Sequence, residues 1–379
     1  MQRDFHYYCV GVLARASGFN IRDSLTIAYS SQYVDDSTES KVVQLKVEKG
    51  ELYFDPVRTS YGGLDNLGSL SWAAQKRVYI PFHFIPPRPF RPKLSQTFSF
   101  VTEPAANGEP EYKESFAELL VKKASRESLK NYTRRLCRIG IALHTYADSW
   151  AHQRFSGRHS QEENDVENIH LYDRESGEYK HLVLENIFLD MLPRIGHAEA
   201  GVFPDLAHLK WRYNSGNAPM AIERDNTEEF MESAKEIYDV LVEVKKRRPA
   251  PPIPWGEIEP DIRELLASGP KVKVTPADQI SEQSYAKYHD TDLGVRCKGW
   301  QDKFGHLFQP PPKDDFYYYD RRRWRGQALL GDIDWDDWTE KDWDEMEPME
   351  LRSGFWDSRW VQFHRAALRQ RHFVLENLP

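Results

Sequence analysis

Apolar residues recur at helical spacing over residues 4–17 and 21–34, two predicted helices that meet at a turn containing Gly18. Asn20 stands where an N-cap is needed, with Asp23 three places on, and Leu25, Ala28, Tyr29 and Gln32 mark one side of the second helix. The period then changes to two: KVVQLKVEKGELYFDPV alternates and breaks at Lys49-Gly50, which predicts a β-hairpin. RVYIPFHFI, residues 77–85, predicts a third extended segment, closed by Pro86-Pro87 and carrying His83 between two Phe residues. Helical spacing returns over 113–154, broken near Ala124 or Ser125. A polar insertion at 156–179 separates it from a helix that runs to about Leu192, where Pro193 interrupts. Phe230, Ala234, Ile237, Tyr238 and Leu241 predict an amphipathic helix over 227–246, and Trp360, Phe363, Ala367 and Phe373 a closing one over 357–376. The expected fold is mainly α, a helical bundle with a small β-hairpin or sheet insertion near residues 41–85.

At 379 residues the chain has material for two domains or one large one. The Pro-rich run 248–254 marks a composition boundary between a helical domain, 1–248, and a C-terminal extension, 249–379, whose last helix is free to dock back. That extension holds Tyr317-Tyr318-Tyr319, Arg321-Arg322-Arg323 and the Trp-rich acidic stretch DIDWDDWTEKDWDEME. Nothing in a net charge of -8 calls for bulk electrostatic capture of nucleic acid, and a local basic groove stays open. The first residues lack a secretory h-region, and no run approaches the roughly 20 apolar residues of a transmembrane helix. Three separated cysteines with no CxxC pair suit a reducing compartment, so a cytoplasmic protein is expected.

The thirteen histidines change the picture. In LHTYADSWAH, His144, Asp148 and His152 stand at steps of four, drifting only about 80° around a helix axis and so sharing one face. The outer pair has Cα atoms roughly 12 Å apart, too far to grip one ion at bonds of about 2.0–2.2 Å. One ion would use an adjacent pair; if all three residues ligate there are at least two ions, with Asp148 as a bridge. The plain alternative is an i,i+4 ion pair. Further candidates are Asp4 and His6 at the start, Asp35 and Asp36 at the end of the second helix, His83, and His197, which opens HAEAGVFPD ending in Asp205. The His289-Asp290 doublet lacks partner residues in order, and no P-loop, dinucleotide fingerprint or G-x-S-x-G elbow is present.

In this order the residues resemble the superfamily of bacterial zinc-dependent phospholipase C and the fungal and plant single-strand nucleases. DFHYYCVGVLARASGFN, YVDDS and GHAEAGVFPD are closer still to uncharacterised bacterial members, and the likeness covers about residues 1–245. The resemblance implies a mostly helical fold around two or three zinc ions that cleaves phosphate esters. It implies that His6 is the early His and that Asp35 or Asp36 assists the attacking water. His83 takes the place of the loop His, His144 and Asp148 match the His-x-x-x-Asp pair, His152 is the following His and His197 the last. Met1 stands where the family has Trp, with Asp4 as the substitute ligand, and Gly201 stands where it has Glu, leaving Glu199 or Asp205.

On this reading His144, Asp148 and His83 hold one ion, and His152, His197 and Asp205 or Glu199 a second. Asp148 extends to a third with His6 and Asp4. Such sites bring the pKa of water toward about 7, with Asp36 or Asp35 orienting it. The substrate expected is a phospholipid, with Phe82, Phe84, Ile85 and the Trp-rich tail as its apolar entrance, or single-stranded nucleic acid along Tyr317 to Arg325. The alternative is a non-catalytic, zinc-stabilised helical scaffold whose Trp-rich C-terminal region binds a protein partner.

Overall fold

The computed structural model describes all residues except 40, 62–70, 92–97, 105–113, 128–130, 182–194, 217, 219, 246–250, 270–281, 312–316 and 332–345. The chain opens with a π-helical turn, Asp4–Cys9, that runs into α1 (Val10–Ala16). Helix α2 (Ile21–Asp36) is capped by Asn20, whose side chain accepts from the Asp23 N–H at 2.9 Å. The hairpin forms as β1 (Val43–Lys46) and β2 (Glu51–Phe54), turned at Gly50, where φ is +88°. Helices α3 (Phe116–Ser125) and α4 (Tyr132–Ala151) follow. Later come α5 (Asn226–Val244), α6 (Trp255–Ala267), α7 (Glu282–Phe304), the short α8 (Arg323–Ala328) and α9 (Arg359–Leu375).

Helix α4 is the axis of the molecule and packs against α2, α3, α5 and α9. Gly140 sets its approach to α2, since a Cβ there would stand 2.3 Å from the Ile27 carbonyl oxygen. One apolar cluster runs through these helices and crosses the Pro-rich stretch, uniting Leu143 and Ala147 with Trp324, Trp360 and Phe363. Gln370 of α9 donates to Thr145 Oγ1 of α4 at 2.9 Å and to the Pro81 carbonyl at 3.0 Å.

Two features depart from the expected fold. Residues 77–85 are not extended: Trp72–Ala74, Gln75–Tyr79 and Ile80–Phe82 form a continuous helical run with a π-turn in the middle. The polar insertion, to which the sequence assigns no element, is folded. It supplies β3 (Glu167–Asp173) and β4 (Glu178–His181), which join β5 (Lys210–Asn214) and β6 (Ile222–Asp225) in an antiparallel sheet ordered β4-β3-β5-β6. A seventh strand, β7 (Met349–Glu350), adds in parallel to β1, making a three-stranded sheet. The protein is therefore mixed α and β, with one sheet of three strands and one of four among the described residues, and not a mainly α bundle with a hairpin insertion near 41–85. The larger sheet escapes pattern reading because one face meets solvent: in β3 only Ile169 and Leu171 are buried, among Glu, Asn, His, Tyr and Asp.

Ile169, Leu171, Trp211 and Tyr213 of that sheet form a second apolar cluster with Phe84, Phe155 and Phe203. The predicted helix up to Leu192 and most of the Trp-rich stretch lie outside the described residues, as do the His289 and Asp290 side chains. Among the described residues no helix is long and apolar enough to cross a membrane.

Candidate metal centre

The two clusters meet at the C-terminal half of α4, where five imidazoles and three carboxylates converge. Three groups have ligand atoms all within 4.8 Å of one another: His6, His144 and Asp148; Asp35, His83 and His144; and His152, His197 and Asp205. Helix α4 supplies His144 and Asp148, its C-terminal cap supplies His152, and α2 ends at Asp35 and Asp36. The π-turn at the start of the chain carries His6, and His83 ends the 72–82 helical run.

Asp148 is 1% exposed and its two oxygens face different partners. Oδ1 is 2.8 Å from the Met1 main-chain nitrogen and 3.1 Å from His6 Nε2. Oδ2 is 3.1 Å from His144 Nε2 and 3.2 Å from His83 Nδ1. Asp35 Oδ1 stands 3.5 Å from His144 Nε2 and 3.9 Å from His83 Nδ1. On the sheet side, Asp205 Oδ1 is 3.1 Å from His152 Nε2 and 2.8 Å from the Met1 nitrogen, and Oδ2 is 3.4 Å from His197 Nε2.

Backbone carbonyls fix which ring nitrogens face the centre. His83 Nε2 donates to Thr59 O at 2.9 Å, His152 Nδ1 to His83 O at 3.0 Å, and His197 Nδ1 to Gly201 O at 2.7 Å. The opposite nitrogen of each ring faces the centre, the arrangement metal-ligating histidines adopt. His6 and His144 stack at 3.9 Å, and their Nδ1 atoms are buried without a hydrogen-bond partner among the described residues, so the polar demand of both rings falls on Nε2. His83 Nδ1 and His144 Nε2 lie 3.1 Å apart, and that gap holds at most one proton.

The charges are equally lopsided. Burial pushes His6 and His197 down to about 4 and His144 well below its usual value, so these rings are neutral at pH 7. Burial also disfavours the charged form of Asp148, yet His152, the Met1 amine, His144 and His6 hold it well below the carboxylate range. Burial alone would lower the Met1 amine, but Asp148, Asp205 and Asp35 raise it to about 11. Burial and the Asp148 charge push Asp35 well above its ordinary value, and His83 is raised because the hydrogen bond and charge of Asp148 outweigh its desolvation. Three carboxylates thus face one ammonium among mostly neutral imidazoles, a donor set that fits divalent transition metals.

Three candidate residues lie elsewhere. Asp4 is buried on the far side of the π-turn, where Arg296 Nε of α7 donates to its Oδ2 at 2.8 Å; the Met1 nitrogen occupies the place assigned to it. Glu199 Oε2 accepts from the Val166 N–H at 3.1 Å, leaving Asp205 as the carboxylate of the third group. Asp36 accepts from Tyr319 Oη at 2.7 Å and from Gln32 Nε2 at 3.1 Å, so Asp35 is the one of the pair that faces the histidines. Sequence reasoning missed the braces. Asn226 Nδ2 donates to Phe203 O and Leu206 O, locking the turn that bears Asp205, and Arg224 Nη2 donates to Trp150 O and Ala151 O at the end of α4. Positive φ at Gly196, just before His197, was a readable signal: a Cβ there would also stand 2.2 Å from the Phe84 ring.

The model of a family of unknown function, DUF6765, matches residues 1–378. No curated protein and no solved structure matches the chain.

Proposed function

The chain belongs to that family of unknown function, so its chemistry rests on its own residues, and we propose that it is a metal-dependent hydrolase of phosphate esters working through two or three zinc ions. The observation that carries this reading is the convergence of five inward-facing imidazoles on Asp35, Asp148 and Asp205, three of them oriented by backbone carbonyls. The likeness of the residue order to zinc-dependent phospholipase C and the single-strand nucleases supports it.

His83, His144 and Asp35 would hold one ion, His152, His197 and Asp205 another, and His6 with Asp148 a third. Bound zinc lowers the pKa of water toward about 7 and neutralises charge developing on phosphate oxygens. The protein's own contribution is position. Asp148 is sealed at 1% exposure, whereas Asp35 keeps 32%, so the Asp35 carboxylate is the group that solvent and substrate reach. With Oδ1 turned to His83 and His144, Asp35 would orient the attacking water and accept its proton through its other carboxylate oxygen. The carbonyls of Thr59, His83 and Gly201 keep their imidazoles from turning away, so no ligand reorganises as charge builds.

Metal analysis of the purified protein should find about two or three zinc per chain, together with hydrolysis of a chromogenic phosphodiester. His144→Ala with Asp148→Ala should abolish both while circular dichroism stays native-like. A folded protein without metal would falsify the proposal, and bound metal with no activity on phosphatidylcholine, single-stranded DNA, RNA or the chromogenic ester would leave a scaffold in its place.

A further inference from the structure

Side chains alternate along β3, so its two faces do different work. Ile169 and Leu171 enter the apolar cluster with Phe84, the ring that stacks on His152, while His170 and Tyr172 take the face turned away from the metal centre. On that outer face His170 pairs directly with His181 of β4, and Tyr172 with Tyr179. The two imidazole centroids are 4.9 Å apart, with 49° between the ring planes. His181 is exposed and His170 half-buried, and neither ring meets a carboxylate at ion-pair distance among the described residues. Arg212, which stands opposite His170 on β5, is engaged elsewhere: its guanidinium lies over the Tyr179 ring, 4.5 Å from the centroid.

One ring of the pair is already oriented. His170 Nδ1 donates to the Asn168 carbonyl at 2.7 Å, so the neutral ring carries its lone pair on Nε2, and a backbone carbonyl on the far nitrogen is how ligating histidines are held. That carbonyl is set by an uncommon backbone. Asn168 has a φ of +51°, inside the irregularity that separates Glu167 from His170 in the pairing with β5, and such bulges re-aim side chains. Directly paired residues have Cβ atoms about 4.5–5.5 Å apart, a span from which two imidazoles reach one ion at bonds of about 2.0–2.1 Å. We propose that His170 and His181 form a separate surface metal site that takes a late divalent transition ion, Cu2+ most tightly, through two imidazole nitrogens, with water in the remaining positions. The site does not depend on the hydrolase reading.

Calorimetric titration of the purified protein with Cu2+ against a glycine competitor tests the pair, with released zinc measured on the same samples. One Cu2+ per chain should bind without displacing zinc, and its electron paramagnetic resonance spectrum should show coupling to two imidazole nitrogens. His170→Gln and, separately, His181→Gln should each weaken that copper at least tenfold and leave coupling to one nitrogen, with circular dichroism and zinc content unchanged. His306→Gln, which removes an exposed histidine outside the pair, should leave the copper as it is. Copper that binds only by displacing zinc, or that binds equally well in both variants of the pair, overturns the site. A protein that carries no zinc but loses copper in both variants keeps this site and removes the zinc centre.

Discussion

Asp148 turns its two oxygens to different histidines, so one carboxylate organises both sides of α4. The opposite strategy operates at His364 on α9, a buried histidine outside the centre. Its Nδ1 accepts from the Val57 N–H at 3.0 Å, its ring packs edge-on to Trp360, and burial pushes it down to about 4. Glu39 and Asp55 favour its protonation and Arg371 opposes it, but desolvation dominates. The unfolded chain, with a pKa near 6.5, binds the proton first, so this contribution to stability is complete above about pH 6.5 and is lost as pH falls toward 4. By pH 5 the loss should reach about 2 kcal/mol. His364→Gln can keep the acceptor without titrating, so the difference in urea midpoint between wild type and variant should shrink between pH 7.5 and pH 5. An unchanged difference would remove His364 from the acid response.

At the scale of elements, the close packing of α2 on α4 brings Asp35 to His144. Gly140→Ala tests that contact, because two effects compete. Helix propensity favours Ala by about 1 kcal/mol, whereas a Cβ 2.3 Å from the Ile27 carbonyl forces the helices apart, at about 1–3 kcal/mol. Net destabilisation with reduced metal content is expected, read from urea unfolding and metal analysis; a stabilised variant would show that the helices separate freely. The elements legible in the sequence were those whose signal is local: the Asn20 cap, the Gly50 hairpin, and the i,i+4 step that puts His144 and Asp148 on one face. RVYIPFHFI misleads because its apolar residues are buried almost all round, so alternation carries no information about period there. The four-stranded sheet hides behind its charged outer face. Asp4 could not be placed from sequence because its partner Arg296 is 292 residues away, and the inward Met1 nitrogen has no side-chain signature at all.

For the whole molecule, the composition boundary at 248–254 does not divide the apolar interior. Tyr317 donates to Tyr8 O at 2.8 Å, and Trp360, Phe363 and Ala367 of α9 are fully buried in the cluster shared with α4. Residues 1–248 expressed alone should therefore lose cooperative unfolding and metal together, seen by circular dichroism and metal analysis; a compact, metal-loaded fragment would overturn this. The centre also lies where the helical cluster meets the sheet cluster, with Asp148 on one bank and Asp205 on the other. A cation held by His152 at the end of α4 together with His197 and Asp205 would act as a rivet between two plates. At a free concentration one hundred times its Kd it would add about 2.7 kcal/mol of stability, and chelation would loosen the plates against each other before either melts. With metal bound as proposed, the protein's rigidity would become a gauge of free metal, and amide exchange in β5 and at the end of α4 should quicken in step when the metal is withdrawn.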